Sequence, residues 1–98
     1  MYKSISLNGN FISLYKNGTG RIAKNLVKQL STSKVDIKIN KEKQEIKIIP
    51  GDDYKVDNNC RFTCRPLYKI VDKERNIKST LRLNAEYKPD DGAIIAEY

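Results

Sequence analysis

Hydrophobic residues recur along this chain at two different periods, and the change of period marks the predicted elements. Leu26 and Leu30 lie four residues apart, which places them on one face of a helix. The residues that follow alternate apolar with polar, which is typical of strands. Their apolar positions are Val35, Ile37, Ile39, Ile46 and Ile48. The stretch 16–50 therefore predicts a tight turn into a strand, a helix over 23–30 and a hairpin that turns at 41–44, which together form a βαββ unit.

The second half of the chain repeats this plan with different residues. At an offset of 40 positions, Arg21 meets Arg61, Ile22 meets Phe62 and Leu30 meets Ile70. Pro66 suits the first turn of a helix, which the pattern predicts over 67–71. A connector follows over 72–78, and two strands, 81–85 and 93–98, are joined by a turn at 88–92. The pattern favours a second, degenerate βαββ unit within 58–98.

A further hairpin is predicted at the start of the chain. Residues 2–7 and 11–15 alternate, and Asn8-Gly9-Asn10 between them is a strong turn signal. Gly18 and Gly20 follow in a stretch that we predict to be irregular, because both glycines can adopt positive φ.

Length and charge set the class of protein. The 98 residues suit one domain, 1–98, and no apolar run approaches the roughly 20 residues needed to cross a bilayer. With no signal-peptide pattern at its start, we expect a cytoplasmic protein with no membrane contact. Residues 1–50 hold ten Lys and Arg against three Asp and Glu, and residues 51–98 hold nine of each, so the excess of +7 lies in the first half. This is either a surface for a polyanion or a set of lysines that solvate the strands.

The residue types argue against catalysis. The chain has no histidine, so the commonest general base and the partner of a Ser or Cys nucleophile are missing. Cys60 and Cys64 are too few for a four-ligand zinc site, and as neighbours on one strand they would be too far apart for a disulfide. Pairs of aspartates at 52–53 and 90–91 lie in turn sequences. We therefore expect no catalytic residue, no metal and no cofactor.

One segment resembles a known family. Gly18, Ile22, Ala23, Lys24, Leu26 and Leu30, followed by a hairpin that ends in Ile-Lys-Ile-Ile-Pro, resemble the AbrB/SpoVT or swapped-hairpin family over residues 16–50, with a possible second copy in 58–98. The resemblance implies a mostly β fold with two short helices, a swapped-hairpin or double-psi type barrel. In that family two βαββ units exchange hairpins to complete one barrel. Here one chain would hold both units, as a basic 1–50 and a neutral 51–98, giving a monomeric pseudo-dimer; a homodimer stays open.

The resemblance also implies a function, which is regulation of transcription by binding double-stranded DNA. Lys24 matches the family's lysine at the helix start, and Lys28 falls where members carry an arginine. We add Lys16 and Arg21, because they flank the glycine turn, where backbone amides could also meet a phosphate. These four residues are the expected contacts to the DNA backbone.

A second hypothesis belongs to another class of protein. Small, histidine-free chains rich in Lys and Asn are common in phage genomes, and some bind and inhibit a host protein, such as a component of a defence system. Tyr87, Tyr98 and the exposed positions of the last hairpin could form such a surface, since tyrosine is frequent at interfaces. Positive charge would then steer association with an acidic partner.

Overall fold

A computed structural model describes residues 10–98 and contains eight strands and two helices. In chain order they are β1 (Phe11–Tyr15), β2 (Thr19–Ile22), α1 (Lys24–Leu30), β3 (Lys34–Asn40), β4 (Glu45–Pro50), β5 (Tyr54–Lys55), β6 (Arg61–Thr63), α2 (Arg65–Arg75), β7 (Thr80–Lys88) and β8 (Ala93–Glu97). The predicted N-terminal hairpin needs residues 2–7, which lie outside the described residues. None of the described helices is long and apolar enough to cross a membrane.

The eight strands form one antiparallel sheet that closes almost into a barrel. Its order is β5-β3-β4-β8-β7-β1-β2-β6, and the two end strands, β5 and β6, contact each other. The expectation of a mostly β, barrel-like fold with two helices is confirmed. Alternate residues of each strand face inward, and the core is closed by one side of both helices, with Leu26 and Leu30 of α1 and Leu67 and Val71 of α2 buried.

The order strand, strand, helix, strand, strand occurs twice in the chain. Strands β1–β4 with α1 make the first set, and β5–β8 with α2 make the second. The sets meet where β2 pairs with β6 and where β4 pairs with β8, and each first strand pairs with the other set's third strand. Exchanging the two sets leaves the order around the ring unchanged, so the topology has an approximate twofold axis.

The second helix differs from its prediction. It runs from Arg65 to Arg75, so the expected connector begins four residues later than its predicted start at 72. A carboxylate holds this longer end, because Asp72 Oδ1 accepts a 2.7 Å hydrogen bond from the Ile77 amide and Asn76 ends the helix in the left-handed region. The offset of 40 also fails within the helix: Val71, not Ile70, takes the buried place of Leu30. Ile22 lies two positions before the first residue of α1, whereas its counterpart Phe62 lies three positions before the first residue of α2.

The glycine turn is shorter than expected. Gly18 has φ of +91°, as predicted, but Gly20 lies within β2 and does not have positive φ. Gly20 is required there because the ring of Phe62 lies against it: a Cβ on Gly20 would come within 2.3 Å of Phe62 Cζ. Close packing, not backbone freedom, explains this glycine.

Residues 60–64 do not form one strand. Cys60 lies in a turn with φ of +62°, β6 covers only Arg61–Thr63, and Cys64 precedes α2. Both thiols are free, Cys64 buried and Cys60 half-buried.

Candidate nucleic-acid interface

Two arginines face each other where the two sets of elements meet. Arg21 of β2 and Arg61 of β6 are directly opposite in the antiparallel register, and both side chains are exposed on the outer face of the sheet. Neighbouring strands lie about 4.8 Å apart, so the two arginine side chains carry like charges at close range. Like charges in opposite positions destabilise a strand pair. An anion bound between them would offset that repulsion.

A third arginine extends this row across the sheet. Ser13 of β1 pairs with Arg21 on one side and with Arg82 of β7 on the other, so the three residues lie in line on one face. Ser13 is small and 4% exposed between its long neighbours. The Arg82 guanidinium stacks on Phe11, with 4.0 Å from Cζ to the ring centroid. Stacking orders this guanidinium while its N–H groups remain available to an acceptor.

Each helix begins with a basic residue shortly after one of the strands β2 and β6. Lys24 starts α1 after β2, and Arg65 starts α2 after β6. Because β2 and β6 are antiparallel, the two helices leave from opposite ends of the pair. One turn further on, Lys28 and Lys69 occupy corresponding places. Neither helix has an acidic residue in its first turn or a side-chain cap.

The approximate twofold axis relates these residues in pairs. We call the set the paired basic surface; its members are Arg21, Lys24 and Lys28 from the first half and Arg61, Arg65 and Lys69 from the second. All six side chains are exposed. Among residues 10–98 the one ion pair joins Lys88 and Glu86, and residues 1–9 contain no Asp or Glu. None of the six side chains therefore forms an ion pair within the described residues, and the carboxylate nearest to Arg61 is that of Asp57, whose Oδ1 accepts the Arg61 amide at 2.9 Å.

Lys16 lies apart from these pairs, in the turn between β1 and β2. Its amide donates a 3.0 Å hydrogen bond to the Ser79 carbonyl, which fixes the turn beside the start of β7, and its side chain is exposed. In the next turn residue, Asn17 Oδ1 accepts from the Thr19 amide at 3.0 Å. Gly18 packs under the stem of Arg65, since a Cβ there would come within 2.8 Å of Arg65 Cγ. The glycine turn thus borders the start of α2.

Three of the four predicted residues, Arg21, Lys24 and Lys28, are members of this twofold-related set, and Lys16 lies in the turn before β2. The sequence analysis missed Arg61, Arg65, Lys69 and Arg82, because the second half carries no net charge. Four of its nine acids lie in the turns at 52–53 and 90–91. The match of Arg21 with Arg61 at an offset of 40 was the available signal.

The remaining polar groups offer little chemistry. The described residues contain no cluster of three or more His, Cys, Asp or Glu side chains that could hold a metal ion. The neighbouring Cys64 thiol, followed by burial, raises the pKa of Tyr54. Burial, followed by the charge of Glu74, raises the pKa of Tyr98, whose hydroxyl is buried with no hydrogen-bond partner among the described residues.

Comparison of the chain with models of protein families, with curated proteins and with solved structures gives no match.

Proposed function

We propose that this protein binds double-stranded DNA through the paired basic surface and regulates transcription in the manner of AbrB-like proteins. The observation that carries the proposal is the pair Arg21 and Arg61, two exposed like charges held opposite each other on adjacent strands. Regularly spaced phosphates are the natural partner of such an arrangement, since each contact releases a counterion from the duplex.

The geometry supports a duplex target in particular. Strands β2 and β6 lie side by side in the wall of the barrel and present Arg21 and Arg61 on its outer face, where both can contact phosphates of a duplex. The helices that start at opposite ends of this strand pair place Lys24 and Arg65 for further phosphate contacts on either side. The approximate twofold axis makes the contacts equivalent, as in dimeric regulators that bind inverted repeats. In this proposal one chain is a monomeric pseudo-dimer of the swapped-hairpin type and supplies the contacts that two subunits of a dimer would supply.

Fluorescence anisotropy with a labelled random duplex tests the proposal. We expect Arg21→Gln plus Arg61→Gln to weaken binding uniformly across sequences and to lower the slope of log affinity against log salt by about 2. The matched control is Lys41→Gln plus Lys43→Gln in the β3–β4 turn, which removes the same charge at exposed positions of another element.

If the arginine variant and the control lose affinity equally, the duplex responds to net charge and the site assignment fails. If neither the wild type nor the control binds duplex at about 0.15 M salt, the function itself is wrong. Thermal unfolding of each variant shows whether the fold is intact, and a change below about 0.5 kcal/mol is expected for such exposed residues.

The alternative, binding of a host protein through Tyr87, Tyr98 and the last hairpin, is weakened because Tyr98 is buried and Tyr87 is half-buried.

A further inference from the structure

Strand β3 is paired along its whole length on one edge and along very little of the other. Against β4 it pairs from Val35 to Asn40. Against β5 it pairs only at Lys34 and Val35, because β5 is two residues long. Within residues 10–98, positions 36–40 of β3 therefore have no strand partner on the β5 side.

The direction of the backbone groups follows from two hydrogen bonds. The Gly51 amide donates to the Lys34 carbonyl from the β4 side, and the Val56 amide donates to the Ser33 carbonyl from the β5 side. Backbone groups of successive strand residues point to alternate edges. The N–H and C=O groups of Ile37 and Ile39 therefore point outward at the open edge, where an incoming strand could pair with them.

The approximate twofold axis shows what is missing at this edge. Strand β7 takes the place of β3 in the second set, and there β1 covers it with five residues, Phe11–Tyr15. On β3 the corresponding strand is β5, which begins only at Tyr54 because residues 51–53 cross over β3. Asp36 holds this crossing, since its Oδ1 accepts the amides of Asp52 and Asp53, each at 3.0 Å. Among residues 10–98, β5 therefore has no counterpart to the N-terminal part of β1, and the corresponding edge of β3 is not paired.

Side chains at the open edge define the chemistry of a partner. Ile37 and Ile39 face the interior but are only half-buried, whereas Val35, which β5 covers, is fully buried. Between them Lys38 is exposed on the outer face. The residue directly opposite it on β4 is Lys47, and within residues 10–98 Lys38 forms no ion pair. Lys41 and Lys43 add positive charge in the adjoining turn.

We propose that the open edge of β3 binds an extended segment of another protein by adding a strand to the sheet, and that this segment carries an acidic residue between two apolar ones. The two apolar side chains lie opposite Ile37 and Ile39 and cover them, and the acidic side chain lies opposite Lys38. Directly opposite residues interact most strongly across an antiparallel pair, which sets this order of residue types. A second copy of this chain fits less well, because antiparallel pairing of two β3 edges places lysine near lysine.

A synthetic peptide tests the proposal. The probe is a capped peptide with a central Ile-Glu-Ile flanked by threonines, titrated into the labelled protein while amide chemical shifts are followed. We expect the largest shifts at the amides of Ile37 and Ile39. N-methylation of either isoleucine of the peptide removes a hydrogen bond to β3 and abolishes binding, whereas N-methylation of the glutamate, whose N–H points away, leaves binding measurable.

A charge exchange tests the acidic position. Replacing the peptide's glutamate by lysine weakens its binding to the wild type by roughly fivefold, and Lys38→Glu reverses that preference. Lys47→Glu makes the same change of charge one strand further from the edge and leaves the preference for glutamate in place. Both variants change exposed or half-exposed side chains, and their folding is checked by the amide spectrum.

Three results would overturn the proposal. One is equal binding of the glutamate and lysine peptides; another is a set of shifts centred away from residues 36–40. The third is slow hydrogen exchange of the Ile37 and Ile39 amides in the free protein, because the edge would then already be covered. A dependence of that protection on concentration would identify a second copy as the occupant, and protection lost on deleting residues 1–9 would identify the chain's own N-terminus. Binding of duplex DNA is measured separately and decides nothing about this edge.

Discussion

At the scale of single residues, a side chain on another strand explains why position 20 is glycine. The residue sits in an ordinary strand position, but the ring of Phe62 on β6 occupies the space where a Cβ would be. This contact packs β2 against β6 on the inner face of the sheet, next to the outward-facing pair Arg21 and Arg61. The arginines thus lie on the outer face, and Gly20 on the inner face, of the same pair of strands.

We predict that Gly20→Ala destabilises the protein by about 1–3 kcal/mol, the usual range for overpacking a core. Phe62→Leu in the same chain should restore part of the loss, because the smaller side chain can give way to the new methyl group. Chemical denaturation measures both. Gly92→Asn is the control, since no atom lies within 4 Å of a Cβ there and asparagine tolerates its φ of +58°. A Gly20→Ala variant as stable as the wild type would show that Phe62 does not pack as described.

The buried hydroxyl of Tyr98 leads to a prediction about how stability depends on pH. Burial raises the pKa of its hydroxyl above the ordinary value of 10.0, so the folded protein keeps the proton while the unfolded chain releases it. Stability is therefore fully retained below about pH 10 and falls as the pH rises from there toward the folded pKa.

In Tyr98→Phe the alkaline loss should be smaller, and stability near neutral pH should be equal or higher, because a buried hydroxyl without a partner is removed. Urea denaturation at about pH 7 and about pH 11 measures this difference. Tyr54→Phe is the comparison, since the pKa of Tyr54 is also raised but its side chain is only half-buried. A steeper alkaline loss in Tyr98→Phe would contradict the assignment.

At the scale of elements, the end of α2 is set by one carboxylate. Apolar spacing stops at Val71, so the sequence predicted the helix to end there, yet a further turn of charged residues follows. Asp72 stabilises that turn by accepting the Ile77 amide, and Ile77 in turn is buried in the core. The connection between α2 and β7 is thereby fixed.

Asp72→Ala should cost about 1 kcal/mol, as the loss of a cap usually does, and should free the last turn of α2. Asp72→Asn keeps an acceptor oxygen and should lose less. Hydrogen exchange at the Ile77 amide reports the local effect, and denaturation reports the global one. Unchanged protection of that amide in the alanine variant would rule out the cap.

Periodicity sufficed for most elements, and close packing and register explain where it did not. The strands β1, β3, β4, β7 and β8 and the first helix follow from alternation and from leucines four apart, because each buries one regular face. Strand β5 was missed, since two residues carry no period, and the burial of Gly20 depends on a residue 42 positions away. For the site, charge counts along the chain pointed to the first half, whereas the register of β2 with β6 adds residues of the second.

At the scale of the whole molecule, the sheet joins two similar sets of elements, and the paired basic surface follows that division. Each set contributes one arginine at the junction and two basic residues on a helix. The net charges of the halves, +7 and zero, differ because of acids in turns and lysines in the β3–β4 hairpin, so they do not describe this surface. A single chain can therefore present the kind of symmetric surface that a homodimer presents.

The most direct test compares equal losses of charge from the two halves. Lys24→Gln plus Lys28→Gln removes two positive charges from α1, and Arg65→Gln plus Lys69→Gln removes the two corresponding charges from α2. In duplex binding measured over a series of salt concentrations, we predict that both variants lose similar affinity and that each slope falls by about 2. A loss confined to the α1 variant would contradict the paired basic surface and return the function to the first half alone.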